Sequence, residues 1–180
     1  VGIAYYGREY VRFSPVRPGR LFARLADADG RPIHGLRYYP DADGLVATLE
    51  SLRRYDKPIL ITANGLATGN DVERCRFLVD HIKAVKRARD AGIPVMGYLY
   101  RTLLDGFEWD AGLTQRYGLV HVDRETQSRT PNPSAFLFRE ACRTGTMSAG
   151  AIARYCPELA GSGGGACALE VYTDGGYCTA

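Results

Sequence analysis

The chain has 180 residues, of which 46% are hydrophobic and 24% charged, and its 23 Lys and Arg against 20 Asp and Glu give a formal net charge of +3. This composition is typical of a soluble globular domain and excludes a disordered or collagen-like chain. The charge is too small to predict nucleic acid as a partner. No apolar run approaches the roughly 20 residues that span a bilayer, so a membrane is not predicted as a partner either.

The cysteines and the first residue bear on the compartment. The cysteines are odd in number, include no Cys-X-X-Cys pair and have no His at zinc-ligand spacing: Cys75, Cys142, Cys156, Cys167 and Cys178. We therefore expect no metal site, no cofactor, free thiols and a cytoplasmic, reducing location, although Cys167 and Cys178 are near enough in sequence to close a small disulfide loop. Val1 begins no signal peptide, and the missing initiator Met predicts a processed chain or a piece of a longer one.

The first third of the chain predicts a strand, a long excursion and a helix. Residues 1–6 are a short apolar and aromatic run that predicts a buried strand. Residues 8–38 are irregular and rich in Pro, and they predict an excursion with a hairpin between residues 21–25 and 34–38. Residues 41–54 repeat leucines at helical spacing and predict the first helix.

The middle of the chain predicts a βαβ unit. Residues 59–62 form a continuous apolar run typical of a parallel strand that is covered on both faces. Asn70 and Glu73 form a capping-box signal for a helix that continues to Gly92, and residues 93–100 predict the next strand. Strand, helix and strand at this spacing predict a right-handed crossover in a parallel α/β sheet.

The last third of the chain predicts less structure. Residues 119–123 predict a short strand, and Asn132 caps a helix over residues 133–143. Beyond that helix no core pattern is recognisable, and residues 161–165 read Gly-Ser-Gly-Gly-Gly. We therefore expect residues 145–180 to be a loosely ordered tail of unknown structure.

Four segments carry recognisable motifs: Gly-Ile-Ala-Tyr-Tyr at residues 2–6, Tyr39-Pro40 followed by Gly44-Leu45, residues 57–65, and residues 105–109 followed by 116–120. In their order and spacing they resemble the C-terminal part of glycoside hydrolase family 1, the retaining β-glycosidases. The resemblance implies an eight-stranded (β/α)₈ barrel of which this chain has strands six to eight. It divides the chain into a partial barrel over residues 1–144 and a tail over residues 145–180.

A partial barrel predicts a partner. A complete barrel takes about 250 residues, and a slice of three strands leaves two sheet edges with unpaired backbone groups. We expect the chain to be a fragment, or to pair with the missing N-terminal barrel half or another chain.

The resemblance also implies a damaged catalytic centre. Retaining glycosidases use two carboxyl groups about 5–5.5 Å apart. The family's nucleophile is the Glu of Thr-Glu-Asn-Gly, and the matching residue is Ala63. The family's acid/base Glu belongs to an Asn-Glu-Pro motif, which occurs nowhere in this sequence. The chain alone is therefore predicted to be inactive.

Other matching positions are partly retained. Tyr6 matches a residue that supports the nucleophile. Glu108, Trp109 and Tyr117 match residues that bind a β-linked sugar. Arg101 replaces the Trp that forms an apolar wall beside the sugar, and it is expected among the substrate-binding residues as well. Two further departures are Ala4 and Gly106, which each stand where the family has Asn.

Several alternatives stay open. The chain is either part of a β-glycosidase-type enzyme or a non-catalytic sugar-binding or scaffolding pseudoenzyme; an inverting hydrolase ranks last because it needs two carboxylates. Without the resemblance, Glu108 and Trp109 predict a structural salt bridge and a packed indole. The isolated histidines His34, His81 and His121 are expected on the surface.

Overall fold

The structure is a computed structural model that describes residues 1–16, 23–26, 38–109, 111–160 and 169–170. Its strands are β1 (Gly2–Ala4), β2 (Tyr10–Phe13), β3 (Ala23–Ala26), β4 (Ile59–Asn64), β5 (Val95–Tyr100), β6 (Val120–Val122), β7 (Arg129–Pro131), β8 (Thr146–Met147) and β9 (Leu169–Glu170). Its α-helices are α1 (Ala42–Leu52), α2 (Asp71–Asp90), α3 (Pro133–Thr144), α4 (Ala149–Tyr155) and α5 (Pro157–Ala160).

A parallel three-stranded sheet in the order β1-β4-β5 forms the centre of the fold. This confirms the predicted α/β class. Ile59 and Ile61 of β4 are fully buried, and they share a core cluster with Leu45 and Leu49 of α1. The side chains on this face of β4 are apolar because both neighbouring helices pack there.

The opposite face of the sheet is less covered than the apolar run predicted. Thr62 of β4 is exposed, and in β5 the side chains of Met96 and Leu99 are 70% and 53% exposed. Within the described residues, the sheet is therefore buried on one face.

Helix α2 begins and ends as its sequence predicts. The side chain of Asn70 accepts a hydrogen bond from Val72 N at 3.1 Å, and Gly92, with φ 79°, follows the last turn. Glu73 does not complete a capping box, since its carboxylate accepts from the Thr68 hydroxyl at 2.7 Å instead. Among the helices that the structure describes, none combines the length and the apolar character needed to cross a lipid bilayer.

The excursion after β1 contains a different strand pair from the predicted one. Strand β3 pairs antiparallel with β2, in the register Tyr10 with Ala26. Most of the expected partner segment, residues 34–37, lies outside the described residues. Two hydrogen bonds of 2.9 and 3.0 Å between Arg8 and Tyr39 join the two ends of the excursion.

The expectation of a loosely ordered segment after residue 144 is wrong for residues 146–160. Gly145, with φ 68°, turns the chain after α3, and Met147, Ala151 and Cys156 then enter a second core cluster with residues of α2 and α3. Helices α4 and α5 have only seven and four residues, so each is too short to show a hydrophobic period in the sequence. The division of the chain at residue 144 stays a prediction.

The expectation of free thiols is wrong for two cysteines. Cys75 and Cys156 form a disulfide, and both are 1% exposed. The sequence does place Cys75 on the buried face of α2. Its partner lies in the segment for which no packing was expected, so the pairing was not foreseen. Cys167 and Cys178 lie outside the described residues.

Candidate functional site

A groove of about 980 Å³ lies next to the carboxyl ends of β4 and β5. In parallel α/β folds this edge of the sheet is where ligands and substrates bind. The groove is lined by five of the residues that the resemblance picked out, together with a further tyrosine: Tyr6, Arg101, Glu108, Trp109, Tyr117 and Tyr38. Ala63 is not among the lining residues, although Gly65 two positions later is.

Arg101 and Glu108 form an ion pair on the wall of this groove. Nη2 of Arg101 lies 2.7 Å from Oε1 and 2.6 Å from Oε2 of Glu108. The two side chains are 36% and 19% exposed. Burial opposes the charge of Arg101, but the hydrogen bond to Glu108 and the favourable charge interactions with Tyr6, Glu108 and Tyr117 together outweigh it, and the pKa of the guanidinium is raised. The salt-bridge interpretation of Glu108 is thus correct in geometry, with Arg101 as the partner.

Tyr6 and Tyr117 lie beside this ion pair, and Tyr38 packs against Tyr6. The ring of Tyr6 lies edge-on to that of Tyr117, with centroids 6.2 Å apart, and 5.8 Å from that of Tyr38. Cζ of Arg101 lies 5.7 Å from the centre of the Tyr117 ring, within cation–π range. Burial raises the pKa of Tyr6 and of Tyr117, so both keep their hydroxyl protons at neutral pH and offer hydrogen-bond donors to the groove.

Trp109 is not packed. The residue is 94% exposed, and its ring meets the ring of Phe107 edge-on, at a centroid distance of 6.2 Å. The alternative of a packed indole is therefore wrong for this structure. An indole face open to solvent at the rim of a groove is able to stack on a sugar ring.

The position that matches the nucleophile is built into the sheet. Ala63 pairs with Ala4 of β1, and its carbonyl oxygen accepts from Tyr5 N at 2.9 Å. The next residue, Asn64, is fully buried, donates to Tyr5 O and accepts from the Tyr98 hydroxyl, both at 2.6 Å. A side chain on Gly65 would overlap the carbonyl of Arg101. The backbone at this strand end is thus closely fixed, but position 63 carries a methyl group and no carboxylate.

Two buried charged residues hold the loops around the groove. The carboxylate of Asp105 accepts from Gly118 N at 2.9 Å, Val122 N at 3.3 Å and His121 Nδ1 at 2.9 Å. Burial opposes its ionisation, but these hydrogen bonds lower its pKa overall. Asp105 thereby ties the segment before Glu108 to the strand β6.

Arg74 joins two loops next to the groove, those that contain Thr68 and Arg116. Its guanidinium, 3% exposed, bonds to the carboxylate of Asp71 at 2.6 Å and to the carbonyl oxygens of Thr68 and Arg116. Asp71 in turn accepts from the backbone and the hydroxyl of Ser134, at 2.8 and 2.6 Å. Nothing in the sequence marks Arg74, because it is a single charge on a helix rich in charges.

His81 is a correction, since it was expected on the surface. It is 1% exposed, its ring stacks on Phe77 at 3.8 Å, and Nδ1 donates to the Phe77 carbonyl at 2.9 Å. Its position between Leu78 and Ile82 in the apolar stripe of α2 was the available signal. His121 is half-buried against Asp105, and His34 lies outside the described residues. Within the described ranges, no three His, Cys, Asp or Glu side chains are grouped as metal ligands.

Comparison with known proteins gives one family. Residues 28–147 match Glycosyl hydrolase family 1. The chain is similar to "Beta-glucosidase-like SFR2, chloroplastic" of Oryza sativa, with 36% identity over 153 residues that cover 82% of this chain and 22% of that protein. It is also similar to a beta-galactosidase of Pyrococcus woesei, with 29% identity over 161 residues that cover 78% of this chain and 31% of that one.

A solved structure agrees. The beta-glycosidase from Pyrococcus horikoshii superposes with a TM-score of 0.73 and 33% identity, over 88% of this chain and 38% of that one. The chain therefore spans between about a fifth and a third of the length of these curated relatives. The order of the elements, the retained groove residues and these matches lead to the same assignment: the chain belongs to glycosyl hydrolase family 1.

Proposed function

We propose that this chain forms strands six to eight of a (β/α)₈ barrel and supplies the sugar-binding part of a β-glycosidase-type site that does not hydrolyse its ligand. The observation that carries the proposal is the combination of Ala63 at the end of β4 with the nearby groove that keeps Glu108, Trp109 and Tyr117.

The covalent route of a retaining glycosidase is closed to this chain as it stands. A carboxylate must attack the anomeric carbon, and a second carboxyl group must protonate the leaving oxygen. The methyl group of Ala63 provides no nucleophile. Glu108 is bound through both oxygens to Arg101, which suits a carboxylate that accepts hydrogen bonds better than an acid that delivers a proton.

Sugar binding remains possible for the same groove. A carboxylate is a strong acceptor for sugar hydroxyls, and Glu108 provides one. The exposed face of Trp109 is available to stack on the apolar face of a sugar ring. The hydroxyls of Tyr6 and Tyr117 add donors that stay protonated at neutral pH. We therefore propose a β-linked sugar or glycoside as the ligand.

The exposed apolar side chains on the sheet and its loops support a further partner. Six of them are more than half exposed: Met96, Leu99, Leu103, Phe107, Trp109 and Leu113. Exposure of several large apolar side chains on one sheet and its loops is typical of a surface that another segment covers. We propose that the remaining five strands of the barrel, from the N-terminal half or from another chain, pair with the edges of β1 and β5.

The test is glycoside binding by calorimetry, run beside an assay for hydrolysis of aryl β-glycosides. Methyl β-glucoside and methyl β-galactoside are the ligands. Glu108→Ala and Trp109→Ala are expected to weaken binding, while Glu125→Ala, an exposed carboxylate outside the groove, serves as the matched control. Unchanged binding in the first two variants would reject the sugar site and favour the scaffolding alternative. Hydrolysis by the unaltered chain would contradict the absence of catalysis.

A further inference from the structure

We propose that Arg101 donates hydrogen bonds to the sugar in this groove and selects neutral glycosides: Glu108 accepts hydrogen bonds from sugar hydroxyls, and the guanidinium of Arg101 donates to neighbouring ones. This inference rests on the proposed function, because it needs a groove that binds sugar.

The geometry of the ion pair leaves part of the guanidinium available. Both hydrogen bonds from Arg101 to Glu108 leave from the same nitrogen, Nη2. A guanidinium carries five N–H groups, so the N–H groups of Nε and Nη1 are not used by this pair. Arg101 lines the groove and is 36% exposed, which leaves donors of its guanidinium within reach of a ligand.

Glu108 keeps acceptor capacity as well. A carboxylate has about four lone-pair sites, and Nη2 takes one on each oxygen. An acceptor therefore lies beside a donor on one wall of the groove. Hydroxyl groups both donate and accept, so two neighbouring hydroxyls of a sugar satisfy this pair together.

The aromatic surroundings hold Arg101 in place for this role. The guanidinium lies over the ring of Tyr117 at 5.7 Å. Arg101 stands where the family has Trp, so the chain exchanges an apolar wall for a hydrogen-bond donor at the same place. A side chain that is held by a carboxylate and a ring loses little conformational entropy when it binds a ligand.

The charge of the groove favours a neutral ligand over an anionic one. Among the described lining residues three carboxylates face two guanidiniums: Glu73, Asp80 and Glu108 against Arg76 and Arg101. The positive charge of Arg101 is already matched by Glu108 at 2.6 Å. A sugar that carries its own carboxylate would approach Glu108 as a like charge, which costs binding energy.

The experiment is calorimetric titration of the full chain with methyl β-galactoside, methyl β-glucoside and methyl β-glucuronide. The unaltered chain is expected to bind the better neutral glycoside about tenfold or more tightly than the glucuronide. Arg101→Met is expected to weaken that binding by about 10- to 100-fold, the usual effect of losing hydrogen bonds to a charged group. Arg101→Lys keeps the charge but not the planar guanidinium, and its affinity for the glycoside is expected to lie between those of the unaltered chain and Arg101→Met. Arg139→Met, on α3 outside the groove, is the matched control.

The possible outcomes separate the two proposals. If the unaltered chain binds no glycoside, the proposed function fails and this inference fails with it. If the unaltered chain binds a glycoside but Arg101→Met binds it equally well or more tightly, Arg101 pairs with Glu108 without contacting the sugar. This inference alone is then overturned. Tighter binding of the glucuronide would make Arg101 an anion receptor and would also overturn it. If Arg101→Met does not fold, a crystal structure of the unaltered chain with bound glycoside provides the test. Nη1 or Nε of Arg101 is expected within about 3.2 Å of a sugar oxygen. A longer distance overturns the inference.

Discussion

Cys75 in the second turn of α2 and Cys156 at the C-cap of α4 are joined by a disulfide across 81 residues of sequence, with Cα atoms 6.4 Å apart. The bond lies in the core cluster that α2 forms with Leu137 of α3 and Met147. Helix α2 is also the crossover between β4 and β5. The disulfide therefore attaches the segment after residue 144 to the same helix that positions the carboxyl ends of the sheet.

Loss of this disulfide is expected to lower the free energy of unfolding by about 2–4 kcal/mol, because a long loop in the unfolded chain is no longer closed. Denaturant unfolding of Cys156→Ser against the unaltered chain measures the effect. A non-reducing peptide map is expected to contain a linked pair of peptides with Cys75 and Cys156. Separate alkylation of the two thiols without reductant would contradict the pairing and agree with a reducing compartment; a cytoplasmic location stays a prediction.

The core role of the segment after α3 can be tested with two methionines. Met147 is fully buried, whereas Met96 on β5 is 70% exposed. Met147→Ala is expected to lower the free energy of unfolding by about 2–5 kcal/mol, the range for a deleted core side chain. Met96→Ala, the control, is expected to stay within about 0.5 kcal/mol. Equal effects of the two substitutions would mean that residues 146–160 do not belong to the core.

The sheet is predictable from sequence for a definite physical reason. Strand β4 is a continuous apolar run, and α2 repeats its apolar residues over 20 positions between a good N-cap and Gly92. A pattern that extends over so many residues still predicts the element when a single residue departs from it. The segment after residue 144 has helices of seven and four residues, and its burial depends on α2 and α3. The sequence of this segment alone therefore does not predict that it is buried.

The groove was predictable in its members but not in its contacts. Family resemblance named Tyr6, Glu108, Trp109 and Tyr117, and the structure gathers them around one groove; their role as sugar ligands stays a prediction. A salt bridge of Glu108 was an open alternative, but its partner, Arg101, was not foreseen. The two residues lie seven positions apart across an irregular loop, where neither helical nor strand periodicity says which side chains meet.

Buried His81 is expected to make the fold less stable in mild acid. Burial lowers its pKa from 6.5 to about 4, against the opposing effect of the bond to Phe77 O. Between these values the unfolded chain binds the proton that the folded chain excludes. The stabilisation is therefore complete above about pH 6.5 and is lost as the pH falls towards 4, by at most about 3 kcal/mol at 1.36 kcal/mol per pKa unit.

The measurement is the denaturant midpoint of the unaltered chain and of His81→Leu at several pH values. Leu is apolar and of similar size, and it does not titrate. The difference in stability between the two proteins is expected to shift in favour of His81→Leu as the pH falls from 6.5 to 4. Groups common to both proteins cancel in this difference, so a constant difference across the range would show that His81 does not carry the effect.

Ala63→Glu is expected to leave the chain alone without glycosidase activity, since a nucleophile without an acid/base partner completes neither step of the retaining reaction. In a barrel completed by strands that carry an Asn-Glu-Pro motif, the same substitution is expected to allow a covalent glycosyl-enzyme with a slowly turned-over aryl β-glycoside, detected as a mass increase of the protein. Ala63→Gln is the matched control, because it has nearly the same size but no attacking oxygen anion. A mass increase in the Gln variant would contradict the assignment of position 63. If the Glu variant binds glycoside without forming the adduct, restoring the nucleophile is not sufficient. The replacement of the apolar wall by the guanidinium of Arg101 then also prevents the reaction.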